Sequence, residues 1–212
     1  NLFGPLLLAN YCKTHKIHLT YLGTGCIFKY DETHTVENKD SGFTEQSEPN
    51  FFDSSYSIVK GFTDRLMKDY SDTVLNLRIR MPITNSRHPR NFITKITQYE
   101  KICSMENSMT VLPDMLPIMV QMMQKELTGT VNLTNPGVIS HNEILDNYQQ
   151  IVDSSFTYNN FTYEEQMKIL ASGRSNNRLD TTKLLEHFPD IPDIHSSIVN
   201  CLQHYKLSIN EF

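Results

Sequence analysis

The chain alternates between two hydrophobic patterns along its length. Short apolar runs predict strands, and stripes of apolar residues at helical spacing predict helices between them. The predicted strands cover residues 17–22, 73–80, 109–112 and 130–134. The predicted helices cover residues 5–13, 54–70, 91–101, 114–127, 140–152, 162–170, 180–188 and 193–206. Strands that alternate with helices are typical of βαβ crossovers, so the sequence predicts an α/β fold with a parallel sheet and helices on both faces.

Two of the predicted strand ends carry side chains that could do chemistry. In parallel α/β sheets, ligands bind beyond the carboxyl ends of the strands. The first strand runs into Gly23, Thr24, Gly25 and Cys26, which places a hydroxyl and a thiol at that edge. We expect the two glycines to let the backbone bend closely around a ligand. The second strand ends at the junction 80–82 (RMP), which is a further candidate position.

A tyrosine and a lysine four residues apart open the next predicted helix. Tyr56 and Lys60 would share one face of that helix. A tyrosine hydroxyl has an ordinary pKa near 10, and a neighbouring ammonium lowers it. We therefore predict that Lys60 lowers the pKa of Tyr56, which then protonates a carbonyl oxygen as a hydride reaches the carbon. Together with Thr24 upstream, this is the pattern of short-chain dehydrogenase/reductases, although a surface lysine stacked on a core tyrosine gives the same spacing.

Composition narrows the classes of partner. The 212 residues carry 19 Lys and Arg against 24 Asp and Glu, a net charge of −5, which argues against a nucleic-acid partner. No apolar run approaches the length that crosses a bilayer, and no signal-peptide pattern opens the chain, so we expect no membrane partner. Four scattered cysteines without a CxxC pair favour free thiols in a reducing cytosol over a disulfide scaffold or a metal site. The eight histidines show no ligand spacing.

Longer stretches of the sequence resemble one family. The segments TGCIFKYDETH (24–34), PNFFDSSYSIVKG (49–61), PRNFITKITQYEK (89–101) and RSNNRLDTTKL (174–184) are similar to the bifunctional UDP-4-keto-6-deoxyglucose 3,5-epimerase/4-reductases. These enzymes make UDP-rhamnose and are relatives of dTDP-4-dehydrorhamnose reductase and GDP-fucose synthase. The resemblance covers essentially the whole chain, and it implies epimerisation at C3 and C5 followed by NADPH-dependent reduction of the C4 ketone.

The resemblance also implies a domain arrangement. It predicts a Rossmann-type doubly wound parallel sheet that lacks its N-terminal part, followed by a smaller C-terminal substrate lobe. Residues 1–81, about 108–135 and 190–212 would form the C-terminal part of the NADP-binding domain. Residues 82–107 and 136–189 would form the substrate lobe.

Matching the family's motifs residue by residue implies three sets of functional side chains. The catalytic set is the reductase triad and two epimerase acid–base groups: Thr24, Tyr56, Lys60, Cys26 and Lys95. The set expected to contact the NADPH cofactor is Tyr56, Lys60, Met81, Pro82 and Ile83. The set expected to contact the UDP-sugar is Asn1, Cys26, Arg90, Asn91, Arg174, Asn176 and Asn177.

One departure from the family keeps alternatives open. The family places a GxxGxxG dinucleotide cradle in its first βα turn, and this sequence contains none, so we expect two βαβ units upstream of Asn1. One alternative is a dTDP-4-dehydrorhamnose reductase without epimerase activity, from which Cys26 would distinguish the chain. Another is a non-catalytic regulatory subunit with a reductase fold, which the missing cradle favours. The sequence leaves open UDP or dTDP, NADPH or NADH, and whether the protein is a homodimer.

Overall fold

The computed structural model describes residues 1–169 and 173–210. The strands are β1 Leu19–Thr24, β2 Val74–Ile79, β3 Pro82–Ile83, β4 Lys101–Ile102, β5 Thr110–Val111, β6 Gly129–Asn132 and β7 Asn159–Asn160. The helices are α1 Phe3–His15, α2 Ser55–Met67, α3 Phe92–Ile96, α4 Leu112–Gln124, α5 His141–Ile151, α6 Tyr163–Ile169, α7 Thr182–His187 and α8 Ile194–Asn210, with a 3-10 turn at Lys68–Tyr70. Within these residues no helix is long and apolar enough to cross a membrane.

The central sheet is parallel, as the alternating pattern predicts. Its order is β1-β2-β6, so that β2 lies in the middle. Thr24 pairs with Ile79, and Arg78 pairs with Asn132, which brings the carboxyl ends of all three strands to one edge. Two smaller parallel pairs, β3 with β5 and β4 with β7, complete the strands. The Rossmann-type α/β prediction is confirmed, and both candidate strand ends lie side by side.

Helix α3 is shorter than the sequence predicts. The apolar stripe suggested a helix over 91–101, but the helix ends at Ile96. The hydroxyl of Thr97 donates to the carbonyl of Ile93 (3.1 Å) at this end, and the chain then enters β4. The strands β3, β4 and β7 have two residues each, too short to leave an alternating pattern. The last residue of the predicted helix 162–170 lies outside the described residues.

One apolar core joins the two predicted lobes. Its fourteen buried members come from α3, α5, α8 and the strands β3, β4 and β5 with their flanking residues. Helix α8, assigned above to the NADP-binding domain, packs its Ile198 and Leu202 against Ile144 and Leu145 of α5, assigned to the substrate lobe. The division into two domains therefore stays a prediction, with a shared core at its proposed boundary.

The long polar loop after β1 is anchored to the chain near residue 179. The amide of Phe43 donates to the carbonyl of Arg178 (2.8 Å), and the amide of Asp180 donates to the carbonyl of Phe43 (2.9 Å). Phe43 also stacks on Phe28 and packs against Leu179 in a small buried cluster. These contacts hold the segment after residue 173 beside the carboxyl end of β1.

Candidate active site

The end of β1 holds Thr24 and Cys26 in a fixed relation. Thr24 is the last residue of the strand and is only 6% exposed. Its hydroxyl oxygen accepts a hydrogen bond from the amide of Cys26 (3.1 Å). The oxygen is the acceptor in that contact, so the hydroxyl still has its own proton to donate, and the Thr24 side chain also contacts Tyr56. The two side chains singled out by the sequence are therefore connected through the backbone.

The glycines on either side of Thr24 serve packing. A Cβ on Gly23 would meet the side chain of Asn76 on β2, and a Cβ on Gly25 would lie 2.7 Å from Leu179 Cδ1. Neither glycine has a positive φ angle. Both glycines allow close approach of neighbouring protein groups, and the expectation that they let the backbone bend around a ligand stays a prediction.

Tyr56 lies on the first turn of α2, beside Thr24 and Cys26. Ser54 caps this helix by accepting a hydrogen bond from the amide of Ser57 (3.1 Å), which fixes the tyrosine's position. Burial raises the pKa of Tyr56 above its ordinary value, contact with the Thr24 side chain acts to lower it, and the charge of Cys26 raises it. The prediction of a lowered pKa for this phenol is therefore wrong.

Lys60 is engaged by a different tyrosine. Its ammonium donates to the hydroxyl of Tyr21 (2.6 Å) and to the carbonyl of Leu22 (3.1 Å), both on β1. It also lies 4.6 Å from the centroid of the Tyr21 ring. The side chain is 7% exposed, and this burial lowers the pKa of Lys60, while Asp64 acts to raise it. Lys60 thus connects α2 to β1, and Tyr21 is a site residue that the sequence analysis missed.

A cavity of about 330 Å³ opens beside these groups. Five of the predicted site residues line it: Cys26, Tyr56, Met81, Arg174 and Asn176. Its apolar wall comes from side chains that the sequence analysis gave no role: Phe51, Phe92, Ile96 and Ile102. Ser54, Lys101, Cys103, His141 and Ser175 add polar groups. The elements that meet here are the end of β1, the start of α2, α3, β4, the start of α5 and the segment after residue 173.

The junction after β2 contributes one strained residue and one buried cation. Met81 lines the cavity and has a φ angle of 41°, a left-handed conformation that is costly for a residue other than glycine. Arg80 is buried, and burial lowers the pKa of its guanidinium, while the charges of Cys26 and Tyr30 act to raise it. A Cβ on Gly25 would lie 3.4 Å from Arg80 Cδ, so the arginine packs against the residue that precedes Cys26.

Two asparagines of the predicted substrate set make structural hydrogen bonds. Asn91 caps α3 and is 3% exposed, and its amide group bonds to backbone atoms of Thr84, Ser86 and Ile93. Asn177 is fully buried and donates to the carbonyls of Gly25 (3.0 Å) and Phe28 (2.9 Å). Both side chains anchor loops and lie outside the cavity lining, and their role in substrate binding stays a prediction.

The remaining predicted residues lie away from the cavity lining. Asn1, Pro82, Arg90 and Lys95 are exposed, and Ile83 is buried in the core around α8. Lys95 points from the face of α3 opposite Ile93 and Ile96, which are buried. These placements do not test a role in catalysis or binding, so the roles of these five residues stay predictions.

A wider groove of about 680 Å³ lies elsewhere on the molecule. It is lined by polar side chains that include Lys39, Glu106, Arg178, Asp180 and His195. None of the predicted catalytic residues lines it, so the smaller cavity, where a thiol, a phenol and a strained backbone meet, is the better candidate for an active site.

Comparison with known proteins agrees with this geometry. A UDP-rhamnose synthase from Acanthamoeba polyphaga mimivirus, known from a crystal structure, is 53% identical, with a TM-score of 0.91 over 96% of this chain and 70% of that one. A bifunctional dTDP-4-dehydrorhamnose 3,5-epimerase/dTDP-4-dehydrorhamnose reductase from Arabidopsis thaliana is 48% identical over 94% of this chain and 66% of its own length. The chain thus spans about two thirds of the length of these relatives.

A more distant structure supports the fold alone. The dTDP-4-dehydrorhamnose reductase of Bacillus anthracis, crystallised in complex with NADP, is 17% identical, with a TM-score of 0.74 over 94% of this chain and 70% of that one. No family model matches the sequence.

The parallel sheet and the tyrosine and lysine of α2 define the class of short-chain dehydrogenase/reductases. Within that class, the family follows from the 53% identity to the UDP-rhamnose synthase, which extends over 96% of this chain and 70% of that one. The chain belongs to the family of rhamnose-forming nucleotide-sugar 3,5-epimerase/reductases.

Proposed function

We propose that this chain carries the catalytic part of an enzyme that converts UDP-4-keto-6-deoxyglucose to UDP-L-rhamnose by 3,5-epimerisation and 4-keto reduction. The observation that carries the proposal is that the end of β1 presents a hydroxyl and a thiol, two residues apart, beside the phenol of Tyr56. The UDP-rhamnose synthase at 53% identity supports UDP as the nucleotide.

For the reduction, Thr24 hydrogen-bonds the C4 oxygen and Tyr56 protonates it. The free hydroxyl proton of Thr24 donates to that oxygen and polarises the carbonyl. Tyr56, whose raised pKa keeps it protonated at neutral pH, then gives its proton to the developing alkoxide. A bound nicotinamide cofactor supplies the hydride.

The residues at the carboxyl edge of the sheet fit such a cofactor. The Lys60 ammonium has three N–H donors and uses two of them, on Tyr21 and Leu22, so that one remains for a ribose hydroxyl. Met81, Pro82 and Ile83 follow β2 at the same edge, where dinucleotides bind in parallel α/β sheets. NADPH is the form we propose, and the crystallised NADP complex of the distant reductase supports a nicotinamide cofactor for this fold.

For the epimerisation, Cys26 exchanges a proton with the carbons on either side of the ketone. The C4 carbonyl acidifies C3 and C5, and inversion needs one group to remove a proton and another to return it from the opposite face. Cys26 lines the cavity, and its thiol is the first of these groups. Lys95 is the second group that the family resemblance implies, whereas Lys101 is the lysine that lines the cavity. Arg174 also lines the cavity, where its planar fork suits a diphosphate oxygen.

The proposal is tested on the full-length gene product with UDP-4-keto-6-deoxyglucose and NADPH in heavy water. We expect NADPH oxidation together with deuterium at C3 and C5 of the product. The variant Cys26→Ser should lose the deuterium while still reducing substrate that has been epimerised beforehand, because Thr24, Tyr56 and Lys60 are untouched. Deuterium incorporation equal to that of the wild type would remove Cys26 from the mechanism, and no NADPH oxidation by the wild type would refute the proposed function.

A parallel pair of variants assigns the second epimerase group. Lys95→Ala is expected to reduce deuterium incorporation if the family correspondence holds. Lys101→Ala is the matched control, because this lysine is also exposed and lies at the cavity. A loss confined to Lys101→Ala would move the role to that residue.

A further inference from the structure

His141 lines the same cavity as Cys26 and Tyr56, although the spacing of the histidines suggested no role for it. It is the first residue of α5, directly after the N-cap Ser140. Ser140 and Glu143 form a capping box, with the Ser140 amide donating to the Glu143 carboxylate (2.9 Å) and the Glu143 amide donating to the Ser140 hydroxyl (3.2 Å). This cap fixes the start of α5 and with it the position of the His141 imidazole in the cavity lining.

The hydrogen bonding of the ring defines its tautomer. Nδ1 lies 2.9 Å from the carbonyl oxygen of Cys103. A carbonyl can only accept, so Nδ1 carries the proton, and in the neutral ring Nε2 then presents a lone pair. Burial lowers the pKa of His141, the Cys103 carbonyl acts to raise it, and the charges of Arg80 and Arg174 lower it. The ring is therefore neutral at physiological pH.

The second nitrogen is left without a partner. Nε2 is buried and makes no hydrogen bond to any atom of residues 1–169 or 173–210. The ring cannot turn to relieve this without losing the Cys103 contact, and it packs on Phe92 with 5.4 Å between the ring centroids. An unpaired buried acceptor is costly, and it is satisfied when the cavity receives a molecule that brings a donor.

We propose that Nε2 of His141 accepts a hydrogen bond from a ring hydroxyl of the hexose and so selects the sugar of the nucleotide sugar. The inference rests on the proposed function, since Cys26 and Tyr56 bring the hexose, not the base, to this cavity. The C4 carbonyl and the diphosphate oxygens can only accept, so neither can pair with Nε2. Hydroxyls are the donors that the hexose ring carries, and a site with a buried acceptor discriminates against analogues that lack the matching donor.

Two substitutions separate the two nitrogens of the ring. Asparagine places an amide nitrogen near the position of Nδ1 and keeps the contact with Cys103, but it has no acceptor at the position of Nε2. Glutamine places its side-chain oxygen near Nε2. His204→Asn is the matched control, because His204 has the same Nδ1 contact to a backbone carbonyl (Asn200, 2.9 Å) on an exposed helix face.

The experiment measures the dissociation constants of UDP-L-rhamnose and of UDP by calorimetry on the full-length gene product. His141→Asn should weaken UDP-L-rhamnose binding about threefold to tenfold and leave UDP binding unchanged. His141→Gln should recover most of the affinity, and His204→Asn should bind both ligands as the wild type does. Equal weakening of both ligands, equal behaviour of the Asn and Gln variants, or an unchanged His141→Asn would overturn the inference.

A second measurement covers the case in which His141→Asn does not fold. In the wild-type protein labelled with ¹⁵N histidine, the Nε2 resonance of His141 should shift when UDP-L-rhamnose is added and stay in place with UDP. A resonance that does not respond to the sugar overturns the inference. Failure of the proposed function is distinguishable, because it is measured as the absence of NADPH oxidation by the wild type, which neither binding measurement involves.

Discussion

Thr24 accepts the amide hydrogen of Cys26 and keeps its own proton free to donate. That arrangement leaves the hydroxyl hydrogen on the side away from the backbone amide, where the Thr24 side chain also contacts Tyr56. The sequence predicts the identities of both residues because the strand and the residues that close it are contiguous. It does not predict the hydrogen bond between them, which depends on the turn that follows the strand.

Removing the Thr24 hydroxyl should slow the reduction. Thr24→Val keeps the shape of the side chain but loses the donor, and loss of one such donor typically lowers kcat by about 10²–10³. Thr24→Ser keeps the hydroxyl and should stay within about tenfold of the wild type. The measurement is NADPH oxidation with pre-epimerised substrate. A kcat for Thr24→Val equal to that of Thr24→Ser would show that the hydroxyl does not act on the carbonyl.

Tyr21 makes stability depend on pH above 10. Burial raises its pKa from 10.0 to about 12, and the charges of Tyr56 and Asp64 add to this effect. Because the folded-state pKa is the higher one, the contribution to stability is complete below pH 10 and is lost as the pH rises through about 12. We expect the free energy of unfolding, measured with urea, to fall with pH in this window and to fall less steeply in Tyr21→Phe.

Tyr21 accounts for only part of the fall in the free energy of unfolding above pH 10. Burial also raises the pKa of Tyr158, helped by its hydrogen bond to Asp146, and the pKa of Cys201, helped by Asp114, each to about 12. The comparison uses the pH dependence of the free energy of unfolding and not its absolute value. Tyr21→Phe also removes the hydrogen-bond partner of Lys60, which changes the stability at every pH. Parallel curves for the wild type and Tyr21→Phe would show that Tyr21 does not titrate in this range. The sequence missed Tyr21, because its contact with Lys60 depends on how α2 crosses β1.

At the scale of elements, α2 is attached to the sheet by a buried ion pair. One turn after Lys60, Asp64 accepts from Arg78 Nε (2.9 Å) and Nη2 (2.6 Å) and from Asn76 Nδ2 (2.8 Å), both residues on β2. The two charged side chains are almost fully buried. This pair sets the distance between the helix that carries Tyr56 and the sheet that carries Thr24.

Breaking this ion pair should destabilise the protein strongly. Asp64→Asn leaves the Arg78 guanidinium buried without its counter-charge, which typically costs about 3–5 kcal/mol. Asp72→Asn is the control, because the Asp72 pair with Lys13 is exposed to solvent and contributes little. Urea denaturation measures both. An unfolding midpoint for Asp64→Asn close to that of Asp72→Asn would show that water or a rearrangement compensates the charge.

The helices follow from the hydrophobic pattern, including the short α6 and α7, whereas the two-residue strands β3, β4 and β7 do not. The pattern predicts α2, α4, α5 and α8 because each has three or more turns with one apolar face. It predicts α1 from the apolar run that follows Pro5, although Phe3, Leu7, Leu8 and Tyr11 of this helix are exposed. It extends α3 beyond Ile96, because Tyr99 and the residues around it continue an amphipathic stripe although the chain has already turned toward β4. Contacts between residues that are distant in the sequence determine where the short strands β3, β4 and β7 form. The local sequence of these strands therefore shows no pattern that predicts them.

At the scale of the whole molecule, α8 packs against the helices that line the cavity. It contributes Ile198 and Leu202 to the core that it shares with α3 and α5. Those two helices carry Ile96 and His141, which line the cavity. The geometry of the site therefore depends on a helix that touches none of the reacting groups, and sequence patterns give no indication of this dependence.

Truncating Leu202 should lower both stability and affinity for the sugar nucleotide. The side chain is fully buried, and Leu→Ala in a core typically costs about 2–5 kcal/mol. Leu207→Ala on the same helix is the control, because Leu207 is 61% exposed. Thermal unfolding and the dissociation constant for UDP-L-rhamnose are the measurements. If Leu202→Ala lowers the melting temperature but not the affinity, the shared core does not shape the cavity.

The short span from Thr24 to Cys26 has a consequence for the order of events. One residue separates Thr24 from Cys26, and the Thr24 hydroxyl accepts from the Cys26 backbone amide, so the hydroxyl and the thiol cannot be brought to the substrate separately. In the proposed mechanism, a sugar whose C3 and C5 have been inverted at Cys26 therefore already lies beside Thr24, the residue proposed to polarise its C4 carbonyl. We therefore expect the epimerised ketone to be handed over without release, so that rapid mixing with unlabelled competitor would trap little of it in solution.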